Sequence, residues 1–272
     1  MKPTDDSINE QVKQVTATNE KLTIPLEPTF TDKLEQREYE KQRLAAAFRV
    51  FALHGFDAGL AGHITLRDCI DTDTFWVNPL AMHFSQIKAS DLVRLDHSGT
   101  ILDGKYPVNN AAFAIHSRIH KARPDVNAVA HAHTTYGRAF SALGTLLEPI
   151  SQDACMFYEN HSVFDTFTGV VAELDEGDMI AEALGDNLAV ILQNHGLLTV
   201  GKSVDAAAAN FVMLDSCCHS QLVAQAASDK LTTINHDIAI KTKQVNASDL
   251  VTWGNFQPLY QVVAAQDSSF LE

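Results

Sequence analysis

The strongest constraint on the fold lies in the second half of the chain. Leu188–Gln193 and Leu197–Val200 are short apolar runs separated only by Asn194-His195-Gly196, and an Ala-rich helical stretch follows from Ser203 to Ala227. Apolar runs this short, bounded by a glycine turn, read as buried strands, and a tightly joined strand pair has to bury its apolar faces against helices. The same alternation runs upstream. Val126–His133 predicts a strand and Thr135–Leu143 a helix, and Asp178–Leu184 lies in a further helix ended by Gly185. Strands that alternate with helices predict an α/β domain.

The first half fits that reading. A helix is predicted from Thr31–Asp32, whose short polar side chains can cap it, with Leu44, Phe48 and Phe51 on one face and Gly55 at its end. Gly59–Arg67 reads as a glycine-bearing turn running into a strand, and Phe75–Val77 as a second strand stopped at Asn78-Pro79. Residues 92–96 and 100–102 form a hairpin pattern around His97-Ser98-Gly99, and Asn110–Ala122 is helical. No repeat or low-complexity linker divides the chain. The expected organisation is a loose N-terminal arm over 1–32, one α/β domain over 33–228, and a C-terminal extension over 229–272 that packs on the domain or on a neighbouring subunit.

Composition narrows the function. The 272 residues are 46% apolar and 20% charged, enough for a sizeable core without disulfides. The formal charge is −14, which argues against nucleic acid or an anionic membrane as partner, since both need a basic surface. The apolar runs are too short to span a bilayer, and the N-terminus lacks the apolar core of a signal peptide. Cys69, Cys155, Cys217 and Cys218 fit no zinc-knuckle spacing, so reduced thiols in a cytoplasmic protein are expected.

Histidine is over-used, with twelve in the chain. His131 and His133 flank one alanine in a predicted strand, so their side chains share a face about 6–7 Å apart. Two imidazoles so placed can share a divalent cation. His195 projects from the strand-turn-strand, where Gly196 is expected to let the backbone bend. Three neutral imidazoles suit zinc and also iron, copper or nickel, and an open fourth position would make the site catalytic. His116 and His120 also stand at a ligand spacing, i and i+4 on a helix. They read as structural, because charged residues follow His120 and turn it toward water.

Taken together, Asn110-Ala-Ala-Phe-Ala-Ile-His116, Arg123-Pro-Asp-Val, His131-Ala-His133 and Asn194-His-Gly196 resemble the class II aldolase/adducin family, in its order and spacing and nearest its adducin-like branch. The resemblance spans about residues 40–228 and includes a weaker match at Ala61-Gly-His-Ile-Thr-Leu-Arg67. It implies a three-layer α/β/α sandwich around a mainly antiparallel central sheet. It further implies a homotetramer with sites between subunits, and a divalent metal, most often Zn2+ with Fe2+ or Mn2+ as alternatives, held by His131, His133 and His195. Apolar tail positions such as Phe256, Leu259 and Val262 are then candidates to cover a neighbour's site.

Two departures from the family pattern shape the expected chemistry. Ala112 stands where sugar-phosphate aldolases carry an acidic residue, four positions before the helix histidine. A methyl group can act neither as base nor as ligand, so Asp153, Tyr158, Glu159 and His161 become the candidates for proton transfer. The family's phosphate-binding loops are replaced by Gly62-His63 and Asn78-Pro-Leu-Ala-Met-His83, which lack its small hydroxyl and glycine donors. His63 and His83 remain as substrate-binding handles, and Leu80, Met82 and Phe84 offer an apolar wall or core. The expected function is a metal-dependent lyase, by aldol-type cleavage or decarboxylation, acting on a small unphosphorylated hydroxy or keto acid. The alternatives are a non-haem iron oxygenase on the same three histidines and, ranked last, a non-enzymatic adducin-like interaction domain.

Overall fold

A computed structural model describes residues 25–167, 169 and 174–272; most of the expected arm, residues 1–24, lies outside the described residues. Eight strands form one sheet: β1 His63–Arg67, β2 Thr74–Val77, β3 Val93–Asp96, β4 Ile101–Asp103, β5 Ala128–Ala132, β6 His161–Phe164, β7 Ala189–Leu192 and β8 Gly196–Gly201. Their order is β4-β3-β2-β1-β5-β8-β7-β6. Every adjacent pair is antiparallel except β6 and β7, which run parallel. The helices are α1 Lys33–Leu53, α2 Asn110–Ala122, α3 Thr135–Ser141, α4 Leu174–Leu184, α5 Val204–Ala227, α6 His236–Asn246, α7 Asp249–Gly254 and α8 Phe256–Gln266.

The alternation within β5 shows why helices cover both faces. Ala128, Ala130 and Ala132 point into a core with Phe48, Phe51 and Phe211 of α1 and α5. Val129 points the other way, among Ile115 and Ile119 of α2 and Ile180 of α4. The small alanines on the strand and the buried Ala207 and Ala208 on α5 let that long helix lie close to the sheet. By the same parity His131 shares the face of Val129, and on β1 His63 and Thr65 lie opposite Ile64 and Leu66. The polar half of this small-and-apolar pattern is the histidine set.

Caps define the helix starts. Asp32 accepts from the Leu34 N–H at 2.8 Å, Thr134 caps α3 at Gly137, and Ser203 caps α5 at Ala206. The sandwich and its mainly antiparallel sheet match the expectation. One local reading changes: β5 ends at Ala132, so His133 stands just beyond it. α4, Leu174–Leu184, contains the expected helical stretch Asp178–Leu184; 161–164 is an edge strand; and the tail folds into α6–α8. Phe256 is fully buried in this chain's own core with Val263 and Phe270, so it is not free to cover a neighbour. A buried Arg43–Asp205 ion pair fastens α1 to α5, and Arg43 lies 3.7 Å over the Tyr260 ring of α8. The four cysteines are free, and among the described residues no helix is long and apolar enough to cross a membrane.

Candidate metal centre

Two adjoining chain segments build the site. His131 ends the inward row of β5, and His133 follows where the strand gives way to the α3 cap. His195 stands in the turn between β7 and β8, closed by its own N–H donating to the Leu192 carbonyl at 3.0 Å. The left-handed residue of that turn is Asn194, with φ 58°, rather than Gly196. An amide side chain tolerates that conformation better than most. Gly196 is needed for a different reason: a Cβ there would lie 3.3 Å from the Ala132 carbonyl oxygen and 3.5 Å from His131 Cε1. Glycine thus lets β8 approach β5 closely enough to bring the third ring in. The ring centroids of the three histidines are 4.8–5.0 Å apart, and one nitrogen from each lies within 4.8 Å of the others.

The hydrogen bonding fixes how His131 is presented. Its Nδ1–H donates to the Leu197 carbonyl at 2.7 Å. A carbonyl can only accept, so Nδ1 carries the proton and Nε2 carries the lone pair. That Nε2 is buried and has no partner among the described residues. An unsatisfied buried polar atom costs about 1–3 kcal/mol, which a bound cation would recover. Burial pushes the His131 pKa well below 6.5, and pushes His195 down to about 4; burial and then Arg138 lower His133. All three are neutral near pH 7, the protonation state a cation ligand requires. The residues present therefore fit a divalent cation.

A second tier of imidazoles backs the first. His63 pairs in register with His131, and its ring lies 5.2 Å edge-on from that of His131 and 4.6 Å from His116, on which it stacks. Both His63 nitrogens are buried without a partner among the described residues. Thr65 Oγ1 bridges His116 Nδ1 and His120 Nε2 at 2.9 Å each. His120 is only 1% exposed, which corrects the expectation that it faces water. Its ring stacks on Phe75, and Arg67 folds over the helix end to bond the His120 and Arg123 carbonyls. Ala112 packs among Phe75, Val77, Val93 and Leu95, so the family's acidic position is filled here by apolar core.

The other expected site residues lie apart from this cluster, except Phe84, whose ring tip packs on Gly62 beside the His131 backbone. His83 is on the surface, with Nε2 2.8 Å from Asp57 and Nδ1 2.7 Å from Ser85 Oγ. Phe84 belongs to the core, 4.9 Å from the Phe48 ring, and Met82 packs beside it. His161 pairs with Ala189 at the start of β7, whereas His195 follows the end of β7. Its Nδ1–H donates to Phe157 O at 2.5 Å and its Nε2 accepts from the Leu147 N–H at 2.8 Å. Both nitrogens are committed, so its assignment to proton transfer is corrected to a structural pin. Asp153 and Glu159 are exposed at the same remote end, and Tyr158 Oη is 3.2 Å from His236 Nδ1 of α6. None of the four reaches the histidine cluster within this chain.

Sequence reasoning missed what clamps His133. Thr134 Oγ1 donates to Asp215 of α5, and the same carboxylate accepts from the Gly137 N–H at 3.1 Å. A threonine directly before a helix is a legible cap. Its acceptor, 81 residues away, is not.

Comparison with known proteins places this geometry. Residues 42–222 match the family described as Class II Aldolase and Adducin N-terminal domain. Decarboxylase NovR of Streptomyces niveus is 50% identical over 242 residues, spanning 88% of this chain and 89% of that protein. A protein of Streptomyces roseochromogenus subsp. oscitans named 4-hydroxy-3-prenylphenylpyruvate oxygenase/4-hydroxy-3-prenylbenzoate synthase is also 50% identical, over 88% of this chain and 87% of its own length. Among solved structures, L-fuculose 1-phosphate aldolase from Glaciozyma antarctica PI12 superposes with a TM-score of 0.83 at 40% identity, covering 89% of this chain and 94% of that one. Adducins are also among the relatives.

Proposed function

The chain belongs to the class II aldolase and adducin family, and from that premise we propose that it is a divalent-metal-dependent enzyme cleaving a C–C bond in an unphosphorylated keto or hydroxy acid. The observation that carries this reading is the lone pair of His131 Nε2, buried and unpartnered where three neutral imidazoles converge. His131, His133 and His195 would hold the cation, most often zinc in this family, with iron or manganese as alternatives. Bound there, a divalent cation supplies Lewis acidity toward substrate oxygens.

The chain's own residues do the rest. Leu197 O holds His131 in one tautomer, and Asp215 holds the backbone that follows His133. His63, stacked on His116 and edge-on to His131, is the candidate to donate its one ring N–H to a substrate oxygen. Ala112 removes the family's carboxylate base, which disfavours chemistry that needs a proton taken from carbon. Decarboxylation and related cleavage need no such step, because the electron pair is released as the bond breaks. The reading also expects a cytoplasmic homotetramer.

A second reading is favoured by one specific observation, the oxygenase name of a relative at 50% identity. It is an iron-dependent oxidative cleavage of an aryl 2-oxo acid with dioxygen at the same three histidines. One assay tests both. Metal-replete protein is given aryl and alkyl 2-oxo and 2-hydroxy acids, and carbon dioxide release is followed with and without dioxygen. Release without dioxygen supports the lyase, and release only with it supports the oxygenase. Turnover of L-fuculose 1-phosphate with kcat/KM of about 10⁴ M⁻¹s⁻¹ or more would overturn the unphosphorylated substrate class.

A further inference from the structure

We propose that Arg138 binds the carboxylate of the substrate presented to the three histidines. The inference rests on the proposed substrate class and assigns a residue to its recognition. The chain has eight arginines in an acidic background of 34 Asp and Glu residues. Six of them, Arg37, Arg43, Arg49, Arg94, Arg118 and Arg123, are each paired with an aspartate. Arg67 is saturated differently, by the carbonyls of Thr72, His120, Arg123 and Val126. Arg138 alone among the described arginines has neither arrangement. Its one hydrogen bond runs from Nε to the Thr134 carbonyl at 3.2 Å.

That bond sets where the guanidinium goes. It folds the side chain back over the first turn of α3, to the residue that directly follows His133. Thr134 is itself held by Asp215 and by its own cap on Gly137, so the platform is fixed from inside. Arg138 is exposed, His133 is half-buried and His131 is wholly buried. With Nε engaged on the residue that follows His133, the two terminal nitrogens have no hydrogen bond among the described residues. A planar guanidinium matches a carboxylate with two parallel N–H···O bonds, which a point charge cannot reproduce. An acid whose adjacent oxygen lies at the histidines would meet this fork with its carboxylate. An exposed cation without an ion-pair partner, five residues from His133 in an acidic protein, also attracts an anionic substrate against the protein's unfavourable net field.

The test compares two ligands that differ at one group. Phenylpyruvate and phenylacetone share the benzyl ketone, and a methyl replaces the carboxylate in the second. Calorimetric binding of each is measured on the protein as purified and on Arg138→Gln and Arg138→Lys, with metal content recorded for all three. A charge-assisted hydrogen-bonded pair is worth about tenfold or more in affinity. The wild type should therefore prefer phenylpyruvate over phenylacetone by about that factor. Arg138→Gln should abolish the preference by weakening phenylpyruvate alone, Arg138→Lys should restore part of it, and metal content should stay constant. The assignment is overturned if Arg138→Gln keeps the wild-type preference, if both ligands weaken together, or if the wild type shows no preference. Failure of the metal reading looks different: a wild type that holds no cation, whatever the ligand ratio.

Discussion

Two regions of this protein are rich in titratable side chains, and they differ in what their histidines do. Around β5 and the β7–β8 turn, His131, His133 and His195 converge, and His131 presents an unpartnered lone pair. Around the 154–157 turn and the edge strand β6, His161 has a donor on one nitrogen and an acceptor on the other, and Asp153 and Glu159 face solvent. Burial makes both sets neutral: the pKa of His161 is lowered by burial, as are those of the three. Neutral charge state therefore does not separate a ligand set from a structural histidine. The separating feature is convergence: one nitrogen from each of His131, His133 and His195 lies within 4.8 Å of the others, whereas both nitrogens of His161 are spent on the backbone.

The largest effect should come from the converging set. His131→Ala, His133→Ala or His195→Ala should each remove most bound metal and lower turnover by more than the roughly 10–100-fold typical of losing an outer partner. Metal analysis beside the activity assay checks this, and wild-type metal in all three variants would break the comparison. Asp215→Ala removes the acceptor for Thr134 and Gly137, and should lower metal affinity or turnover by that 10–100-fold factor, approximately. A chelator competition reads it; an unchanged metal affinity would show that the clamp on the His133 segment does not matter.

Acid should act through the second tier. His116 and His120 are held far below 6.5 by burial, so below pH 6.5 the unfolded chain binds protons that the folded chain refuses. Stability is thus intact above about pH 6.5 and falls as pH drops, by about 1.4 kcal/mol per pH unit for each such group. Urea midpoints from pH 7 to 5, with chelator present to exclude competition between metal and protons, should decline steadily. A flat profile would contradict the buried tier. The smallest effect belongs to the other region. His161→Phe should cost about 1–3 kcal/mol by orphaning the Leu147 N–H, with metal content unchanged. Loss of metal in that variant would erase the distinction between the regions.

The elements were legible wherever their own residues carry the signal. The hairpin at Asn194-His195-Gly196, the alanine helix after Ser203 and the strand that carries His131 follow from period and turn chemistry alone. What escaped depends on distant partners. Edge strand β6 is four residues long and is defined by its pairing with β7 rather than by a pattern of its own. His120 looks exposed from its charged neighbours, but Arg67 and Phe75 arrive from other strands to enclose it. Asp153, Tyr158, Glu159 and His161 drew attention as a dense cluster of proton-transfer groups, and density along a chain says nothing of which end of a sheet it occupies. Arg138 went unnoticed because an unpaired arginine is recognisable only once the partners of the others are known.

The account rests on one claim, that His131, His133 and His195 together hold a divalent cation. Elemental analysis of the protein, purified without chelator and dialysed against metal-free buffer, tests it most directly. The account predicts close to one equivalent of zinc, iron or manganese per chain, lost when His131 is replaced by alanine. No bound metal in the wild type, or an equivalent that survives replacement of all three histidines, would contradict it.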